Sequence, residues 1–201
     1  MTMVPFCFHF FVLTSACLAL IIYCQVDYPP PTANLSTVWR SSAPDRAAGG
    51  YPNQYAVNPV LFCPLQASES LFFGAGFYCV FTCNTFGFGV YAVSTMNQTD
   101  PRKRFYAYAD SVMVVWSANR DHQIQENATL SFTDDGDLIL RDANGSLVCS
   151  SGTSDRSVVG MNMTESGNLV LFDRDNASVW QSLIIPWILF SPASVCTLGK
   201  A

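Results

Sequence analysis

The chain has 201 residues, half of them apolar and only 12% charged, which suits a packed domain and argues against disorder. A net charge of −5 removes most of the electrostatic case for nucleic acid or an anionic membrane as partner. At this length one domain plus a processing segment is the natural reading.

Residues 1–24 carry no Lys, Arg, Asp or Glu, and Phe6 to Tyr23 is almost continuously apolar. Tyr28-Pro29-Pro30-Pro31 then stops any helix. This reads as a secretory signal peptide cleaved near Cys24, which places the mature chain outside the cell. The alternative is an uncleaved anchor, the one route by which this chain would be held at a membrane. Six Asn-x-Ser/Thr sequons, at Asn34, Asn97, Asn127, Asn144, Asn162 and Asn176, fit a glycosylated extracellular protein. With Cys7, Cys17 and Cys24 in the leader, Cys63, Cys79, Cys83, Cys149 and Cys196 remain. Cys79 and Cys83 flank a short turn and form a disulfide candidate in an oxidising compartment. Five is odd, so at least one thiol is free or intermolecular.

Residues 25–54 are rich in Pro, Ser, Ala, Gly and Asn and read as a loose arm with one edge strand at Ser36–Trp39. Val60–Phe62 and Ser70–Phe73 are candidate first strands, and Gly74-Ala75-Gly76 is a turn or bulge signal. Phe77–Val80 and Phe86–Val93 read as a hairpin around the Cys79–Cys83 turn. Asn97–Lys103 is a polar loop, and the only basic cluster, Arg102-Lys103-Arg104, belongs to a solvated turn. Val112–Trp116 is a buried-strand run, and Asn127–Phe132 leads into a repeat.

The repeat organises the chain. Asp135-Gly136-Asp137-Leu138-Ile139-Leu140-Arg141-Asp142 is answered by Ser166-Gly167-Asn168-Leu169-Val170-Leu171-Phe172-Asp173. Gly136 and Gly167 are 31 residues apart, as are Cys149 and Trp180, and Trp116 precedes Cys149 by 33. A unit of this length cannot bury its apolar face alone and must pack on its copies. Within each copy, Leu138 and Leu140, or Leu169 and Leu171, take one face, and Ile139 and Arg141, or Val170 and Phe172, the other. Asn144-Gly145 predicts a two-residue hairpin turn with both residues at positive φ. No window sustains a helical period and turn signals recur about every ten residues, so the fold class is all-β.

Val114-Val115-Trp116-Ser117-Ala118-Asn119-Arg120, Gly136-Asp137-Leu138-Ile139-Leu140, Gly160-Met161-Asn162-Met163, Gly167-Asn168-Leu169-Val170-Leu171-Phe172-Asp173 and Val179-Trp180-Gln181-Ser182 together resemble a bulb-type (monocot mannose-binding) lectin domain. The resemblance extends to the S-domain, or G-type, lectin receptor-like kinases of plants and their secreted glycoprotein relatives, and Phe73-Gly74-Ala75-Gly76-Phe77-Tyr78-Cys79 shares in it. It implies a β-prism II: three four-stranded antiparallel sheets about a pseudo-threefold axis. Residues 55–182 would form this domain. Trp116, Cys149 and Trp180, once per sheet, would meet at the axis. Cys149 stands where the other repeats have an aromatic ring, a kind of change that costs about 2–5 kcal/mol in a core.

The resemblance also implies partners, mannose-type glycans or cell-surface glycoproteins, and no cofactor. Mannose-binding relatives carry Gln-x-Asp-x-Asn-x-Val-x-Tyr, whose alternate side chains bond sugar hydroxyls. The corresponding positions here are Thr133, Asp135, Asp137, Ile139 and Arg141, and then Thr164, Ser166, Asn168, Val170 and Phe172. The degenerate candidate site is therefore Asp135, Asp137, Arg141, Asn168, Val170 and Phe172. Asp137 has lost the amide donor, Arg141 and Phe172 the phenol, and Ser166 the carboxylate. A site built from hydrogen bonds loses affinity steeply when partners go missing, so the expectation is a retained scaffold or a non-sugar interaction module.

No other chemistry rises above this. Asp134, Asp135 and Asp137 around Gly136 read as a turn rather than a calcium loop, and no metal site is expected. His122 in Arg120-Asp121-His122 is the sole mature histidine and no nucleophile elbow accompanies it, so the chain does not read as an enzyme.

Residues 183–201 depart from the family. Relatives continue with Phe-Asp-His-Pro-Val-Asp-Thr-Leu-Leu-Pro-Gly-Gln, and deleting one T from suitable codons for that stretch yields Leu183–Ser194 as observed. The tail thus reads as out of frame, which transcript sequencing across codon 183 would test. A receptor kinase of this kind would continue into further extracellular modules, a membrane helix and a kinase. None follows within this sequence.

Overall fold

The computed structural model describes residues 30–43, 55–65, 71–80, 83–94 and 111–183. The signal peptide, most of the remaining arm, Ser70, the Asn97–Lys103 loop with its basic cluster and sequon, Cys196 and the tail beyond Leu183 lie outside them.

Among the described residues there are twelve strands and no helix. Three four-stranded antiparallel sheets form the expected β-prism. The first sheet contains β3 (Tyr55–Pro64), β4 (Leu71–Val80), β5 (Gly87–Ser94) and β6 (Ser111–Ser117), in chain order. The middle sheet joins β2 (Thr37–Arg40) to β7 (Thr129–Phe132), β8 (Leu138–Arg141) and β9 (Leu147–Ser150). The last joins β1 (Thr32–Asn34) to β10 (Val158–Met163), β11 (Leu169–Asp173) and β12 (Ser178–Gln181). The arm thus supplies two edge strands where one was expected. Each three-stranded repeat has an open edge with unpaired N–H and C=O groups, and β1 and β2 satisfy one edge apiece. Ser41, fully buried, fixes the arm: its N–H donates to Ala128 O at 2.9 Å, and its carbonyl accepts from Asn127 N at 2.9 Å.

The repeat is physical as well as textual. Val90 pairs with Trp116, Leu140 with Cys149 and Leu171 with Trp180, and a register shift follows at the same place in each sheet. Val90, Leu140 and Leu171 are wholly buried. Trp116 and Trp180 meet edge to face with ring centroids 5.7 Å apart. With Cys149 they line an axial cavity of only about 10 Å³. At about 24 cal/mol per Å³ such a void costs on the order of 0.2 kcal/mol, so little of the expected loss at Cys149 is cavity and what remains is the burial that the missing ring would have added. Cys149 is itself disulfide-bonded.

Three local expectations are corrected. Gly74-Ala75-Gly76 is not a turn but the middle of β4, with Ala75 facing the core, and the bulge half of the expectation is met across the pair, where β3 shifts register between Pro59 and Leu61 opposite Gly76 and Ala75. The ring of Tyr91 lies against both glycines: a Cβ on Gly74 would stand 2.6 Å from Tyr91 Cε2, and one on Gly76 2.8 Å from Tyr91 Oη. Val112–Trp116 is not a buried run. It lies in β6, at the edge of its sheet, with Met113 68% and Val115 38% exposed. The Asn144–Gly145 connection is not a two-residue turn with two positive φ angles. Gly145 has φ 84° and Asn144 is not in the left-handed region. Asp142 N donates to Ser146 O and Gly145 N to Asp142 O, which is the longer hairpin loop that ends on a left-handed glycine.

The Cys79–Cys83 disulfide is formed, with Cα atoms 4.9 Å apart, and it joins the end of β4 to the approach to β5 as the hairpin reading requires. Cys63 is a free, buried thiol.

Candidate functional site

The two repeated turns are built on threonine. Thr133 N donates to Asp137 O at 2.9 Å, Gly136 N to Thr133 O at 3.2 Å, and Asp137 N to Thr133 Oγ1 at 2.9 Å. Thr164 makes the same set with Gly167 and Asn168 at 3.0, 3.0 and 3.1 Å. Gly136 and Gly167 take the left-handed conformation these turns need. Strand alternation does not run from 133 to 141, because β8 begins at Leu138 and residues 133–137 are the turn. The candidate residues therefore do not share one face.

Asp137 points inward and is 5% exposed. Its Oδ2 accepts from Ser150 Oγ at 2.6 Å, and its Oδ1 from Ser151 Oγ at 2.7 Å and Thr153 N at 3.2 Å. Ser151 Oγ in turn accepts from Leu138 N at 3.0 Å. The second repeat copies this latch. Asn168 Nδ2 donates to Gln181 Oε1 at 3.0 Å, while its Oδ1 accepts from Ser182 Oγ at 3.1 Å and Leu183 N at 3.0 Å, and Ser182 Oγ accepts from Leu169 N at 3.0 Å. Both residues tie a turn to the strand that closes its sheet. In the first sheet the equivalent position is Gly87, and a Cβ there would lie 2.3 Å from the Tyr78 ring, whose hydroxyl donates to Ser117 Oγ at 2.9 Å. Asn119 replaces the latch serine there, with Oδ1 accepting from Phe88 N at 2.7 Å.

The other candidates are distributed around these latches. Asp135 is exposed, and hydrogen bonds from Thr133 and Ser154 hold its carboxyl below the usual range. It borders an open groove of about 730 Å³ with Asp134, Asp155, Asp173, Arg174 and Asp175. Arg141 is exposed and its Nη1 donates to Gly145 O at 3.2 Å, across its own turn. Val170 and Phe172 lie on the outer face of the last sheet, half-buried, opposite the inward Leu169 and Leu171. Ile139, half-buried, and Arg141, exposed, lie on the outer face of the middle sheet. Ser150, Ser151, Thr153, Gln181 and Ser182 were not singled out from the sequence. Their signal was available: Ser151 and Ser182 follow Cys149 and Trp180 by two residues, at the same period.

Of the described sequons, Asn127, Asn144 and Asn176 are exposed at turns, while Asn34 is exposed on β1 and Asn162 half-buried on β10. His122 is exposed. Among the described residues no group of three or more His, Cys, Asp or Glu is placed to hold a metal ion.

The model of the D-mannose binding lectin family matches residues 113–195, and so runs past Ser182. The chain is 45% identical over 51 residues to EP1-like glycoprotein 4 of Arabidopsis thaliana, covering 25% of this chain and 12% of that protein. It is 31% identical over 80 residues to a G-type lectin S-receptor-like serine/threonine-protein kinase of Arabidopsis thaliana, covering 39% and 9%. It is 45% identical over 47 residues to the epidermis-specific secreted glycoprotein EP1 of Daucus carota, covering 23% and 12%. The chain spans no more than 12% of the length of these relatives. Three repeats closed into a prism, axis-facing residues in register and this set of similarities lead to one conclusion: the chain carries a bulb-type lectin domain.

Proposed function

We propose that this chain is an extracellular glycoprotein whose bulb-type lectin domain serves as a recognition module and does not hold free mannose at the repeated motif. The carrying observation is Asp137: both carboxylate oxygens are occupied inside the protein and the residue is 5% exposed. Turning it outward to a sugar would strand the buried Thr153 amide, at about 1–3 kcal/mol, and cost the half-buried Ser150 hydroxyl its acceptor. Asn168 is held in the same way, Phe172 offers no hydroxyl, and Tyr78 fills the third position. A bulb-type lectin domain is non-catalytic, and no reaction is assigned to this one. The extracellular location is supported by the apolar leader, the sequons and the similarity to a secreted glycoprotein of carrot.

The test is passage of the full secreted chain over mannose-agarose, alongside a glycan array. Flow-through on mannose-agarose with a folded β-type circular dichroism spectrum is the expected result. Retention that free mannose competes off would overturn the proposal. A second reading rests on the Asp135 groove, where several carboxylates could accept from sugar hydroxyls. Its mark is an array signal that mannose does not compete and that Asp135→Ala removes.

A further inference from the structure

The strand register places two sequons on one sheet face beside an aromatic ring. In the last sheet, Thr32, Asn162, Val170 and Gln181 form one cross-strand row, and Asn34, Gly160, Phe172 and Ser178 the next. Paired residues share a face, so Asn34, Asn162, Val170 and Phe172 all lie on the outer side while Met161, Met163, Leu169 and Leu171 fill the core. Asn34 and Asn162 are diagonal neighbours, roughly 7–8 Å apart at that spacing. Between Asn34 and Phe172 stands Gly160, and the phenyl ring leans across it: Phe172 Cζ would be 2.4 Å from a Cβ at that position. The ring is thus turned toward β1 and the Asn34 side. Neither asparagine amide is engaged in a hydrogen bond among the described residues, unlike Asn119 or Asn168. The sequons at Asn127, Asn144 and Asn176 sit at exposed turns and have no such platform.

We propose that Asn34 and Asn162 carry N-glycans that lie across the outer face of the last sheet, with the Asn34-linked sugar stacked on Phe172. The C–H-rich face of a pyranose packs on an aromatic face, and a covalent tether removes most of the entropic cost of binding. The face that the repeat pattern would offer to an external sugar is then covered by the protein's own. This rests on the extracellular reading, because only a chain that enters the secretory pathway is N-glycosylated.

The experiment uses the full chain secreted from a eukaryotic host, with site-by-site glycopeptide mass spectrometry during native digestion by peptide-N-glycosidase. Occupancy at Asn34 and Asn162 is expected, with release from Asn34 slower than from Asn127, Asn144 and Asn176 by roughly two- to tenfold, the range an aromatic contact supplies. Phe172→Ala, checked for folding by circular dichroism, should bring Asn34 release to the rate of the turn sites. Equal release rates in the wild type, or slow release that survives Phe172→Ala, would overturn the proposal. So would bare Asn34 and Asn162 with the turn sites occupied, which leaves the extracellular reading standing. A chain without glycan at any sequon overturns both.

Discussion

Asp137 and Asn168 show how one position changes its work without changing its place. Each sits at the end of a left-handed turn and is bonded by the serine fourteen residues later. Asp137→Ala would leave Thr153 N and the half-buried Ser150 Oγ short of an acceptor, while Ser151 Oγ keeps Thr153 Oγ1 at 2.7 Å, a loss of about 1–3 kcal/mol by thermal or urea unfolding. Asp137→Asn should cost less, about 1 kcal/mol, because the second repeat uses Asn at this position. Asp135, by contrast, is a surface carboxylate with a local donor. Its folded-state pKa is depressed, first by Thr133 and then by Ser154, so the contact is intact above the unfolded-state value and disappears as pH falls through the folded one. A carboxyl-resolved NMR titration should place Asp135 below the ordinary carboxylate range, and Thr133→Val should raise it. A titration that Thr133→Val leaves unchanged would remove that cause. The residue types at these positions were legible in the sequence. Their directions were not, because alternation holds only inside a strand and residues 133–137 are a turn.

At the scale of elements, the first sheet differs from its two copies. Its outer side carries a second buried cluster of Val57, Tyr91 and Val93, with Tyr78 and Val112 packed against it. Its strands are therefore apolar on both faces, which is why β4 and β5 read as near-continuous hydrophobic runs rather than alternating ones. The glycines of β4 give the Tyr91 ring its seat. Gly76→Ala would place a Cβ 2.3 Å from the Asn58 carbonyl, a backbone atom that cannot step aside, and should destabilise by about 1–3 kcal/mol. Tyr91 is wholly buried, its hydroxyl has no partner among the described residues, and burial pushes its pKa well above the usual tyrosine value. Tyr91→Phe is therefore expected to be neutral or to stabilise by up to about 1 kcal/mol. A melting midpoint that falls on Tyr91→Phe would show that the hydroxyl has a partner in solution. Gly-Ala-Gly suggested a turn because glycine most often serves backbone conformation, whereas here it serves the close approach of a ring from a strand it was not known to pair with.

At the scale of the whole molecule, each sheet contributes one residue, Trp116, Cys149 or Trp180, to the lining of one small axial cavity. Trp116→Ala removes the ring that meets Trp180 edge to face and should cost about 3–5 kcal/mol, enough to lose much of a domain's margin. Urea unfolding of the variant checks this, and a loss under about 1 kcal/mol would mean the axis is not where the sheets are held. While the meeting of Trp116, Cys149 and Trp180 at an axis was what the family resemblance implied, the sequence by itself determined the all-β class, the 31-residue unit with those three residues recurring in it, and Cys79–Cys83 as a candidate pair. Those are fixed by periodicity and local spacing, which one chain displays without reference to its partners. Only the tertiary structure decided that residues 32–40 complete two sheets, that Tyr91 rests on Gly74 and Gly76, and that the outer face of the last sheet gathers Asn34, Asn162 and Phe172. The first and last join segments far apart in the chain, where pairing is set by which open edge and which apolar face remain to be satisfied once the local units have formed, whereas Tyr91 and Gly74 face each other across one hairpin whose register the sequence did not display.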